Sequence, residues 1–180
     1  IQHFTDYGIT SFDSTSPLIR AFMDEKANYY QPNGTGGLNY YAAIRIPQAI
    51  ENPRLMQGIK RGIFHVEDLQ RREEKALTAL RLFDQGKADV GLTTDIIMDY
   101  QQIITLGGDS DKHEKSAIKT RAQVERTLVA APWKSCTCDV CAKIGVEVII
   151  FRSANRNRRR GFHNLGVYHE HVQRILEQSR

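Results

Sequence analysis

The sequence has no long hydrophobic run, no low-complexity tract and no internal repeat, and its 180 residues include only three cysteines and one tryptophan. No stretch approaches the roughly 20 apolar residues that a membrane-spanning helix needs, and no charged-then-apolar leader resembles a signal peptide. Charges of both signs are spread along most of the chain, as in a globular protein with an ordinary core. We therefore expect a cytoplasmic protein with no membrane partner.

The three cysteines lie within six positions, as Cys136, Cys138 and Cys141 in a C-x-C-x-x-C pattern. An odd number of cysteines packed this closely does not form a disulfide framework. Thiolate sulfur and imidazole nitrogen are the ligands that zinc favours in closed tetrahedral sites. The pattern therefore predicts a zinc ion bound by three sulfurs and one distant residue. The alternative is three reduced, buried cysteines without a metal.

A histidine after the cysteines would supply the fourth ligand. His163 is the leading candidate, because it opens the last helical stretch and could point back at the cysteine loop. His169 and His171 are competitors, but their spacing of two within a helix turns them to different sides. Four protein ligands leave no open position for water, so we expect a structural rather than a catalytic metal.

An arginine-rich run separates the cysteines from His163. Five arginines and no acidic residue lie between positions 152 and 160. Guanidinium groups suit phosphate oxygens, and asparagine adds hydrogen bonds to the backbone or to base edges. We expect the run to bind nucleic acid, with a solvated charged loop as the alternative. The expected binding residues are Asn155, Arg156, Asn157, Arg158, Arg159 and Arg160.

The hydrophobic patterns predict a mixed α and β chain with few strands and several helices. Strands are expected at 7–13, 38–46 and 145–151, and helices from Ser16 towards Ala27, around 69–83, 96–104 and 115–131, and after His163. Ser16 is the expected N-cap of the first helix. Asp13 ends the first strand, where α/β barrels place catalytic groups, although an aspartate before a helix is more often a cap or turn residue.

These features resemble the C-terminal portion of the tRNA-guanine transglycosylase family. That family carries a glycine-led last barrel strand ending in Phe-Asp, with a proline four residues later, matched by Gly8, Phe12, Asp13 and Pro17. It also carries C-x-C-x-x-C followed by His-Asn, matched by the three cysteines and His163-Asn164. The resemblance implies an α/β fold that is the C-terminal part of a TIM barrel. Its implied parts are the last barrel strand and following helix (1–30), an inserted strand and helical section (31–132), and a zinc-binding subdomain with a C-terminal helix (133–180).

The stretch from Trp133 to Asn164 is similar to the DpdA branch of the family, which inserts a deazaguanine base into DNA. The tRNA enzymes have a cysteine and two apolar residues where this chain has Ser-Thr-Ser at 14–16. Their arginine two positions after the proline is Ile19 here, with Arg20 one step later. These departures favour DNA over tRNA as the substrate.

By this resemblance, Asp13 is a nucleophile that attacks the sugar's anomeric carbon and expels guanine, and a deazaguanine such as preQ0 then displaces the enzyme. Family members recognise the base with earlier barrel strands, so the 180 residues alone are expected to be inactive without that missing barrel portion. Partner proteins of a modification system are a further implication. The alternatives are the same reaction on tRNA, as in queuosine- or archaeosine-type modification, and a non-catalytic zinc-stabilised nucleic-acid-binding module.

Overall fold

The computed structural model describes residues 14–23, 26–105 and 110–178. The strand expected at 7–13, including Asp13, lies outside these residues. In chain order the elements are α1 (Ser16–Met23), β1 (Tyr29–Pro32), β2 (Leu38–Tyr41), β3 (Ile44–Arg45), α2 (Pro53–Lys60), α3 (Val66–Asp84), α4 (Val90–Thr105), α5 (Ser110–Ala130), α6 (Asp139–Ile144), a 3₁₀ helix (Gly145–Ile149), β4 (Ile150–Phe151) and α7 (Ala154–Gln178).

Helices α3, α4 and α5 form the middle of the chain and confirm the three helices that the apolar period predicts. In α3 the buried residues recur at helical spacing, which places Leu69, Ala76 and Leu80 on one face. Helix α5 ends just before Pro132, because proline lacks the N–H that a further turn would need. Its Thr127 hydroxyl donates to the Ala42 carbonyl at 2.9 Å, which attaches the helix to the end of β2.

The strand expected at 38–46 is two short strands in two different sheets. Strand β2 pairs with β1 in an antiparallel hairpin, and β3 pairs in parallel with β4. Between β2 and β3, the Ala43 backbone N–H donates to the side chain of Asn28 at 3.1 Å instead of continuing the first ladder. This side-chain acceptor turns the chain from one sheet to the other.

The strand expected at 145–151 is wrong over most of its length. The chain forms a 3₁₀ helix at Gly145–Ile149 and only the last two residues are extended. Gly145 adopts a positive φ of 51°, and the following Val146 N–H donates to Asp84 at 3.3 Å. A short, continuously buried apolar run does not distinguish a strand from a helical turn, and here the glycine starts the turn.

Helix α7 is 25 residues long and begins at Ala154, nine residues before His163. The arginine-rich run is therefore part of a helix and not a loop. Helix α1 packs against α7 where Gly161 has no side chain, because a Cβ there would meet Leu18 Cδ2 at 3.2 Å. Helix α1 ends at Met23, short of Ala27, and its first hydrogen bonds are accepted by Thr15 rather than by a Ser16 cap.

One hydrophobic core joins the strands, the three middle helices and the cysteine loop. Its buried members include Tyr29, Leu69, Leu80, Tyr100, Leu128, Trp133, Cys141 and Ile149. Trp133 also donates from its indole nitrogen to Asp84 at 2.7 Å, which fixes the loop that leads into the cysteines. Within the described ranges, no helix combines the length and the apolar character that crossing a membrane requires.

Candidate metal centre

The structure brings the three cysteines and His163 together in one cluster. The Sγ atoms of Cys136, Cys138 and Cys141 lie 3.6, 3.3 and 3.5 Å from His163 Nδ1. All four potential ligand atoms lie within 4.8 Å of one another. His169 and His171 are not members of this group, so His163 is the histidine that the fold places at the cysteines.

The spacing of these atoms fits a tetrahedral zinc ion. With Zn–S distances of about 2.3 Å and a Zn–N distance of about 2.0–2.1 Å, a tetrahedral angle separates sulfur and nitrogen by about 3.5 Å. The three distances from His163 Nδ1 fall around this value. A Cys₃His donor set at this spacing is therefore suited to a single four-coordinate metal with no open position.

Helix α6 positions two of the sulfurs. Cys138 is the N-cap of this helix, and its Sγ accepts a hydrogen bond from the Cys141 backbone N–H at 3.4 Å. Burial raises the pKa of the Cys138 thiol, whereas a hydrogen bond from the Cys141 thiol lowers the pKa of Cys136 to about 3. Such ionisation is a requirement for metal binding, because the thiolate is the ligand.

Strand β1 sets the orientation of the His163 ring. His163 Nε2 lies 2.8 Å from the Tyr30 carbonyl oxygen, which can only accept, so Nε2 carries the proton. The lone pair of Nδ1 then faces the three sulfurs. The Tyr29 ring stacks on the imidazole with the centroids 4.0 Å apart and the planes 16° from parallel.

The Tyr29 hydroxyl also contacts the cluster, at 3.2 Å from Cys141 Sγ. Burial raises the pKa of Tyr29, so its hydroxyl keeps its proton at neutral pH and can donate it to the sulfur. Sequence reasoning missed Tyr29 and Tyr30, because neither is a ligand type and both lie more than 100 residues before the cysteines. Their only signal was a pair of adjacent tyrosines.

Asn164 connects the metal cluster to the start of the described chain. Its Oδ1 accepts from the Tyr30 backbone N–H at 3.0 Å. Its Nδ2 donates to the carbonyls of Pro17 at 3.1 Å and Asn28 at 2.7 Å. All of these groups are internal, so Asn164 holds α1, β1 and α7 together beside the ligand His163.

The arginine run does not form one exposed face, which corrects the expectation for Arg160 and Asn157. Arg160 is fully buried, and Asn157 is nearly so. The Arg160 guanidinium donates to Asn157 Oδ1 and to the carbonyls of Ala21, Val148 and Ile150, at 2.6–3.2 Å. Burial lowers its pKa to about 9, which still leaves it charged at neutral pH. Both side chains are committed to the interior.

The other members of the run differ in exposure. Arg156 is partly buried and ion-pairs with Glu147, which also accepts from Arg81 at 2.8 Å. Burial opposes ionisation of Glu147, but the two guanidinium groups outweigh it and hold its pKa below the usual range. Asn155, Arg158 and Arg159 are exposed. Nucleic-acid contact stays a prediction for these exposed residues.

The chain is similar to a curated protein over most of its length. No protein-family model matches the chain. Over 178 residues it is 40% identical to a DNA-guanine transglycosylase of Salmonella montevideo, and the alignment covers 97% of this chain. The chain spans 40% of the length of that relative. The similarity extends along nearly the whole of this chain.

Proposed function

We propose that this chain is part of a base-exchanging glycosyltransferase that replaces guanine in DNA by a 7-deazaguanine such as preQ0. The observation that carries the proposal is the 40% identity over 178 residues to a protein named for guanine transglycosylation on DNA. The Cys₃His cluster agrees with it, because such a closed site suits a zinc ion that stabilises the fold.

The proposed reaction is a double displacement at the anomeric carbon of the nucleotide. A carboxylate oxygen of Asp13 bonds to C1′ as the bond from C1′ to the guanine ring nitrogen breaks, and the departing guanine keeps the electron pair and takes up a proton. The ring nitrogen of the deazaguanine then attacks C1′, loses its proton and releases the carboxylate. Two inversions retain the configuration of the sugar.

Helix α7, which carries His163, supports the proposed role of Asp13 by fixing the segment that follows it. Helix α1 begins only three residues after Asp13. Its Pro17 and Ala21 carbonyls accept from Asn164 and Arg160 of α7. A zinc ion bound by the cluster would hold the cysteine loop to α7, so the same helix would bear the metal and anchor α1.

The first prediction is that Asp13→Asn abolishes base exchange and spares binding. The amide keeps the shape of the side chain but is a poor nucleophile. In an assay that supplies the missing barrel portion, incorporation of labelled preQ0 into plasmid DNA should therefore fall by about 10³-fold or more. Metal content and DNA affinity should be unchanged. Asp68→Asn, which neutralises an exposed carboxylate of α3, is the matched control and should retain full incorporation.

The same assay separates the proposal from its competitors. Label that enters tRNA and not plasmid DNA would assign the tRNA reaction. A wild-type chain that binds DNA but incorporates no label even when the missing barrel portion is supplied would be a nucleic-acid-binding module. Normal turnover by Asp13→Asn would refute the covalent role of Asp13.

A further inference from the structure

A cleft with a volume of about 560 Å³ opens between the β2–β3 connection, the start of α2 and one face of α5. The cysteines and His163 are not among its lining residues, so it is separate from the metal cluster. Pockets of roughly 300–1,000 Å³ are the usual size for a small organic ligand or one nucleotide unit.

Two arginines give the cleft its charge. Arg45 and Arg54 both line it and both are exposed. None of the described residues that line the cleft is acidic. Across the described ranges neither guanidinium has an ion-pair partner, in contrast to Arg81, Arg152 and Arg156. Two unpaired guanidinium groups at one opening suit the oxygens of a phosphate.

The remaining lining suits the sugar and base of a nucleotide. Ser116, Thr120 and Gln123 recur at helical spacing along the face of α5 that borders the cleft. Their hydroxyl and amide groups can donate to and accept from a sugar hydroxyl or a base edge. The exposed Met23 and Pro53 and the partly buried Phe151 supply an apolar surface for a flat ring, next to the core residues Ile44 and Val124. Apolar and aromatic contact with a few polar groups is how unstacked bases are bound.

The arginines stand on backbone that the fold holds in place. Gln101 donates to the Arg45 carbonyl at 2.9 Å, and Arg45 pairs with Phe151 in the parallel β3–β4 ladder. The Arg54 N–H donates to the capping side chain of Asn52 at 3.0 Å. A binding surface that is already ordered loses less entropy on association.

We propose that this cleft binds one unstacked nucleotide of a DNA strand, with its phosphates at Arg45 and Arg54 and its base against the apolar surface. The inference rests on the proposed DNA substrate and adds a second contact, made by residues other than Asp13. It identifies a place where the protein holds the strand rather than a place where it exchanges the base.

The second prediction concerns the salt dependence of binding to a short single-stranded DNA, measured by fluorescence anisotropy. Each phosphate contact on a single strand contributes about 0.7 to the slope of log affinity against log salt. The double variant Arg45→Gln/Arg54→Gln should therefore have a salt slope that is shallower by roughly 1.4, and it should bind about tenfold more weakly at low salt. Lys60→Gln/Arg61→Gln removes the same charge at the other end of α2, outside the cleft, and should keep the wild-type slope.

A second variant tests the shape of the cleft without changing its charge. Ser116→Trp places a large ring in the cleft from an exposed position of α5. Affinity for the strand should fall several-fold while the salt slope stays at the wild-type value. Unchanged metal content and unfolding midpoint would show that both variants remain folded.

The outcomes distinguish this inference from the proposed function. Equal losses of DNA affinity in the two charge variants, or wild-type affinity in Ser116→Trp, would overturn the proposal that the cleft binds the strand. Neither result would bear on base exchange. Competition by inorganic phosphate or a mononucleotide as strong as that by the strand would overturn the assignment to a DNA strand. A wild-type protein with no affinity for DNA would overturn both proposals.

Discussion

At the scale of single residues, three consecutive positions of β1 support the metal cluster in three different ways. Tyr29 and Gln31 point to the same side of the strand, where Tyr29 contacts Cys141 and Gln31 donates to Ser135 beside Cys136 at 2.8 Å. Tyr30 contributes its backbone, with its carbonyl to His163 and its N–H to Asn164. The strand therefore orients the ligands without supplying one.

The third prediction is that Tyr29→Phe weakens metal binding while the fold survives. The substitution keeps the ring that stacks on His163 and removes the hydroxyl that lies 3.2 Å from Cys141 Sγ. Loss of a hydrogen bond to a ligand typically lowers metal affinity by about 10-fold to 100-fold. Competition with a chromophoric chelator measures this change.

Tyr40→Phe is the control for this prediction, because it removes a tyrosine hydroxyl from the neighbouring strand β2 outside the metal cluster. Its metal affinity should equal that of the wild type. An unaltered affinity in Tyr29→Phe would show that the hydroxyl does not act on the sulfur.

At the scale of secondary-structure elements, α7 shows why part of the fold was not predictable from the sequence. Its buried face near the metal consists of Asn157, Arg160, Gly161, His163 and Asn164. A search for apolar residues at helical spacing does not detect such a face. The sequence of the charged run therefore indicates a surface, whereas carbonyls of three other segments accept from the buried guanidinium of Arg160.

The metal ligands, in contrast, were predictable from the sequence. Their chemistry is specific, and three of them lie within six positions. The residues that orient them were not predictable, because Tyr29 meets Cys141 across 112 positions and Tyr30 meets His163 across 133. Contacts at that separation depend on the complete fold and leave no local pattern.

The fourth prediction is that Arg160→Met destabilises the protein by about 2–4 kcal/mol. Methionine fills much of the same space but leaves four buried acceptors without a donor, and each unsatisfied group costs about 1–3 kcal/mol before the structure relaxes. Arg160→Lys should recover only part of the loss, because an ammonium does not reproduce the planar fork of a guanidinium. Denaturant unfolding of the metal-loaded protein gives the free energies.

The neighbouring Arg159→Met is a matched control for Arg160→Met. It makes the same substitution one position earlier on the same helix, at an exposed side chain. Its free energy of unfolding should stay within about 0.5 kcal/mol of the wild type. Similar losses at both positions would mean that the internal hydrogen bonds of Arg160 are not what stabilises α7.

At the scale of the whole molecule, α7 holds the start of the described chain to its end. Helix α1 and strand β1 are bound to α7 through Asn164, Arg160 and His163. The apolar packing of α3 against α4 and of α4 against α5 involves none of the four ligands. The molecule therefore has a part whose packing depends on the metal cluster and a helical part that does not depend on it directly.

The fifth prediction is that metal removal loosens these two parts unequally. Without the ion, the thiolates repel one another and the cysteine loop is no longer held to His163, so β1, α6 and the first half of α7 should lose protection. Hydrogen exchange of the chelator-treated protein should accelerate there by at least about 100-fold, while α3 and α4 change little. Added zinc should restore the original protection, and Cys136→Ser should reproduce the stripped pattern without a chelator. Uniform acceleration along the chain would instead mean that the helical core also depends on the metal, since only a shared unfolding reaction exposes all amides together.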